Sequence, residues 1–285
     1  MNHSCLSCLP GPDQVVDYQA KVVNLPKHFR GPPASGNGGV AAGLYACLGA
    51  GTLPDDVAQL HVRLHRPIPL DTDLDFRIEK TGDSKRAVSV SQTKTDVLSG
   101  WVSSTVQEPL MTDETLSELR SHSVLSPQQQ SRYDEYVEVP GPSSVDFAEC
   151  FVCGPEAKLG LRLRLRPVTD EIFWKDWYPD HRWVDNGFLA ALPAIAALDC
   201  TSAAGFHLNG VLGEHESCLL GTYDAQLGPA APLNDSDGLR IISKTRKREG
   251  RKIFTDIGLF SPNGTAHVLG KATWIVVSPE VAKGG

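Results

Sequence analysis

Apolar and polar side chains alternate with a period of two along residues 58–80, "AQLHVRLHRPIPLDTDLDFRIEK". The alternation breaks at "PIPL" (67–70) and then resumes, which predicts two strands separated by a turn. Residues 219–244, "LLGTYDAQLGPAAPLNDSDGLRIISK", repeat the pattern with a break at 229–233. A further strand follows each block, in "RAVSVSQTKTDV" and in "RKIFTDIGLFS". Each half then closes on one more, "GWVSSTVQEPL" and "AHVLGKATWIVV". Ahead of each strand set lies a helix of small residues. The first spans 38 to about 49; the second falls within "NGFLAALPAIAALDCTSAAGF" (186–206) and is interrupted or restarted at Pro193. Residues 111–146 are polar and predict a linker carrying a surface helix. The order helix, then antiparallel strands, therefore occurs twice, over 13–110 and 147–279, and predicts an α+β protein.

The first helix, "GVAAGLYACLGA", is apolar on every side, the mark of a helix enclosed all round. Its small side chains are expected to let a curling sheet approach closely. With 285 residues, the chain is long enough for one large core or two modest ones. Its 27 basic and 34 acidic residues leave a net charge of −7, with no long basic stripe, and argue against a nucleic-acid partner. The densest basic run, "KTRKREGRK" (244–252), reads as a solvated hairpin turn. No apolar run reaches the roughly 18 residues that span a bilayer, so no membrane partner is expected. The start, "MNHSCLSCLPGPDQ", lacks the basic and apolar regions of a secretory signal. Seven scattered cysteines suit reduced thiols, and the expected location is the cytoplasm.

"FRGPPASGNGGVAAGL" (29–44), followed by "RPIPL" (66–70), resembles the loop, helix start and next strand of hotdog-fold acyl-CoA thioesterases. "CFVCGPEAKLGLRLRLRP", "FWKDWYPDHRW" and "AALDCTSAAGF" resemble the same fold in the second half. Together the halves resemble the tandem double-hotdog family of thioesterase II type. That resemblance implies two hotdog domains, each an antiparallel sheet wrapped round a central helix. It also implies an acyl-CoA or acyl-carrier pantetheine substrate, thioester hydrolysis, and a homodimer through edge-to-edge sheets. No cofactor is expected.

Asn37-Gly38-Gly39 stands where the family has His-Gly-Gly. Unpaired amides at a helix start carry partial positive charge and suit the oxyanion of a thioester carbonyl. Asn37 is placed as a cap or a carbonyl contact, and Gly38 and Gly39 as substrate-binding backbone. Hotdog hydrolases also need a carboxylate. The first helix holds none, with Ala46 and Cys47 where an acid is common, whereas Asp199 lies in the second helix. The resemblance pairs that Asp with a Thr or Ser and a Gln, which points to Thr201 and Gln107. Asp185, in "DNG", occupies the second half's helix-start position as an N-cap or a base. The pairs Cys5-x-x-Cys8 and Cys150-x-x-Cys153 have the spacing of a tetrahedral thiolate site, but they are far apart and no metal is expected. Cys200 reads as a small buried residue, and Phe173, Trp174, Trp177, Tyr178 and Trp183 as core or an acyl pocket. Two other functions stay open: a non-catalytic acyl-binding protein, and a hotdog dehydratase or isomerase. No His sits at either helix start, which weighs against the latter.

Overall fold

The computed structural model describes residues 15–50, 52, 53, 56–136, 138, 147–233 and 238–283. Two short strands, β1 (Val16–Asp17) and β2 (Val22–Val23), precede α1 (Gly38–Gly49). Next come β3 (Gln59–Leu64), β4 (Leu74–Lys80), β5 (Lys85–Gln92) and β6 (Thr95–Ser103). After them lie α2 (Asp113–Ser121) and α3 (Pro127–Glu135), then β7 (Arg166–Pro167), β8 (Ile172–Trp177), β9 (Val184–Asp185) and β10 (Phe188–Leu189). The chain continues through α4 (Ala191–Ala196), α5 (Asp199–Ser202), β11 (Ser217–Leu227), β12 (Leu239–Glu249), β13 (Lys252–Phe260), β14 (Ala266–Val277) and α6 (Pro279–Ala282).

Twelve strands form one antiparallel sheet in the order β1-β2-β4-β5-β6-β3-β11-β14-β13-β12-β8-β7. Its middle is the pairing of β3 with β11, from Gln59 opposite Gln226 to Arg63 opposite Thr222. Strands of the two halves of the chain are therefore joined there by backbone hydrogen bonds. The basic run lies where the periodicity puts it, at the β12–β13 hairpin, with Gly250 at a φ of 56° in the turn.

Every residue of α1 from Gly39 to Gly49 is buried. The close approach that its small residues permit is to the second helical segment as well as to the sheet. A Cβ on Gly43 would lie 2.8 Å from the Leu192 carbonyl oxygen, and one on Gly39 would lie 2.4 Å from Asp199 Cβ. Gly49 faces the sheet instead, against Val102. The segment 186–206 is not one helix. Its start belongs to the β9–β10 hairpin, whose turn holds Asn186 and Gly187 at positive φ. The helix proper begins at Ala191, so Pro193 sits in a first turn, where its missing N–H costs no helix bond.

The polar segment between the halves holds two helices where one was expected. Thr112 and Ser126 cap them, the latter in a reciprocal box with Gln129. Leu119 of α2 is buried in a second apolar cluster with Met111, Ile172, Trp174 and Phe260. Phe173, Trp174, Trp177 and Trp183 are core residues and Tyr178 is exposed. Among the described residues, no helix is long and apolar enough to cross a membrane.

Candidate active site

Two helix ends meet at the start of α1. Asn37 is its N-cap; the side-chain oxygen accepts from the Val40 amide at 2.9 Å, and the residue is buried. Asp199, the first residue of α5, is only 2 % exposed and packs against Gly39. Burial pushes its carboxyl up to about 7, and the neighbouring Cys150 adds to the rise. The Gly39 amide, the Asn37 side chain and the Cys200 thiol draw it partly back. Its Oδ1 is buried without a well-formed hydrogen bond.

A mostly apolar cavity of about 190 Å³ opens here. Asn37, Gly38, Asp199, Cys200, Leu220 and Trp274 line it. Exposed His65 and Arg66, just before Pro67, also line it. His65 Nε2 lies 2.7 Å from Ser99 Oγ. Trp274 is positioned by its indole N–H, which donates to Ser202 Oγ at 2.9 Å.

Of the residues singled out from the sequence, Asn37, Gly38, Gly39 and Asp199 come together. Gln107 does not join them: it lies beyond the end of β6, exposed, with its side-chain amide donating to Ser103 Oγ and Thr105 Oγ1. Its reach is spent on its own turn. Thr201 is buried, and its hydroxyl donates to the Ala197 carbonyl rather than facing the cavity. Asp185 caps no helix, because the chain forms a hairpin there; Asn186 Nδ2 donates to its Oδ2 at 3.1 Å. It lines a second cavity, about 400 Å³, at the opposite end of α1, together with Ala46, Ala191 and His267.

Cys150 and Cys200 also meet here, which spacing alone did not reveal. Their sulfurs are 3.6 Å apart, and Asn37 Nδ2 lies 3.7 Å from each. Cys153 completes a buried group of three thiols. Cys5-x-x-Cys8 lies outside the described residues. The signals in the sequence were the "CFVC" pair and the cysteine beside Asp199. His65 and Arg66 had no signal beyond standing before the "PIPL" turn.

No protein-family model and no curated protein matches the sequence. Solved structures do match. A candidate thioesterase II from Thermobifida fusca YX superposes with a TM-score of 0.56 at 13% identity, over 90% of this chain and 91% of that one. A hot dog fold protein of unknown function from Alicyclobacillus acidocaldarius gives 0.56 at 11% identity, over 90% and 93%. The dehydratase domain of PpsC from Mycobacterium tuberculosis, solved in complex with C12:1-CoA, gives 0.53 at 10% identity, over 92% and 97%. Buried helix, antiparallel sheet and near-complete mutual coverage agree: the chain has an α+β hotdog fold.

Proposed function

We propose that the chain hydrolyses acyl-CoA or acyl-carrier thioesters, as two hotdog units in tandem over 13–110 and 147–279. The observation that carries this reading is the meeting of the α1 amide end with the Asp199 carboxylate in one apolar-walled cavity. The acyl chain lies along Leu220 and Trp274, and the thioester oxygen points at the Gly38 amide, whose partial positive charge stabilises a developing oxyanion. Asp199 takes a proton from water as the water oxygen attacks the carbonyl carbon. The C–S bond then breaks and the proton passes to the leaving sulfur. Arg66, exposed at the cavity, suits the phosphates of CoA. The thioesterase and CoA-complexed dehydratase structures of the same fold support this substrate class.

Thiol release from acyl-CoAs of several chain lengths tests the reading. Asp199→Asn is expected to lower turnover by about 100-fold or more with the thermal transition kept. Unchanged turnover would remove Asp199 from the chemistry, and saturable binding without release would make the protein an acyl-binding module. His65 shares the cavity with Asp199, which favours a second reading, dehydration of a hydroxyacyl thioester. Enoyl formation without thiol release would select it.

A further inference from the structure

Sulfur atoms from two distant parts of the chain converge at the cavity wall. Cys150, Cys153 and Cys200 place their Sγ atoms within 4.8 Å of one another, all buried. The Cys150–Cys200 separation, 3.6 Å, is far too long for a disulfide. It is close to the edge of a tetrahedron of sulfurs around zinc, about 3.8 Å for Zn–S bonds of about 2.3 Å. The C-x-x-C segment is shaped as a tight turn. The Gly154 amide donates to the Cys150 carbonyl at 2.8 Å, and a Cβ on Gly154 would lie 2.4 Å from the Cys150 nitrogen, so only glycine lets the turn close.

The donor beside the sulfurs points the same way. Asn37 is fixed by its cap bond, which leaves its Nδ2 to face both Cys150 and Cys200. A neutral thiol is a weak acceptor, whereas a metal-bound thiolate is held and tuned by an amide N–H group placed as that of Asn37 is.

We propose that Cys150, Cys153 and Cys200 form a binding site for one zinc ion, with water from the cavity that Cys200 also lines in the fourth position. The site ties the C-x-x-C turn to α5 and to the cap of α1, so it braces the cavity wall. It stands or falls independently of thioester hydrolysis. The sequence spacing argued against a metal because it paired Cys150 and Cys153 with Cys5 and Cys8; the third ligand is Cys200.

The full chain, purified anaerobically without chelator and supplied with zinc, is expected to hold about one equivalent by elemental analysis. Cobalt in its place is expected to show an intense thiolate-to-metal charge-transfer band and the d–d bands of a tetrahedral site. Cys150→Ser and Cys200→Ser should each lower retained zinc about tenfold or more and abolish the cobalt spectrum. Cys218→Ser, a buried cysteine outside the group, and the double variant Cys5→Ser/Cys8→Ser should keep both. Chain that binds no zinc while its three thiols react freely would overturn the assignment. So would a disulfide between any two of them, or loss of the metal in the Cys5/Cys8 variant.

Discussion

Asn37 does three things with one amide group: it caps α1, faces two sulfurs and lies along the cavity. Asn37→Ala removes the cap bond to Val40, and about 1 kcal/mol of stability is expected to go with it, read as a lower urea midpoint. The effect on hydrolysis is expected to exceed the effect on folding, since the same change alters the cavity wall. Far from that site, Glu216 illustrates a side chain whose contribution depends on pH. Arg248 grips both its oxygens at 2.6 and 2.7 Å, the Gly213 amide adds a third bond, and together they hold its carboxyl down at about 2. A folded-state value below the unfolded one means that the stabilisation is present above the ordinary value, 4.5, and fades as pH falls towards 2. The urea midpoint of Glu216→Gln should therefore lie below that of the parent at pH 7. The two midpoints should converge as pH is taken below 4.5, and a gap that stayed constant would refute the pairing's role.

At the scale of elements, the contact that organises the site is helix against helix. Gly43 lies where α1 meets the first turn of α4, with room for no methyl group beside Leu192. Gly43→Ala is expected to destabilise by about 1–3 kcal/mol through overpacking, against the usual gain from alanine in a helix. A midpoint equal to or above the parent's would show that the helices can separate at no cost. The strand periods, the Asn37 cap and the β12–β13 hairpin were legible because each is set within a few residues. The second helix starts later than its sequence suggests because "DNG" followed by an apolar run suits a helix cap and a hairpin turn equally. Only the pairing of Asp185 with Phe188 settles the choice. Gln107 lies away from the cavity for a related reason. A polar residue near a strand end has the right chemistry for a site, but here the strand stops at Ser103 and the amide turns back on it.

For the molecule as a whole, the seam between β3 and β11 matters most. It makes one sheet of twelve strands, and α1 lies against the helices of the other half. A fragment of residues 1–110 would expose the β3 edge and one side of α1 together. It is expected to dimerise or aggregate, with no cooperative monomeric urea transition; a soluble, cooperatively folding monomer would refute that dependence. By itself the sequence determined strands β3–β6 and β11–β14 and their order, the buried character of the first helix, and the cap at its start. These follow from side-chain periodicity and capping, whose physics acts over a turn or a strand. Tertiary structure alone decided that Asp199 closes on Gly39, that Gln107 stays outside, and that Cys200 joins Cys150 beside Asn37. Residues 37 and 200 meet across 163 positions only because the sheet register and two facing glycines bring the helices to contact. No local pattern records such a distance, since it is the sum of many pairings rather than a property of any one stretch.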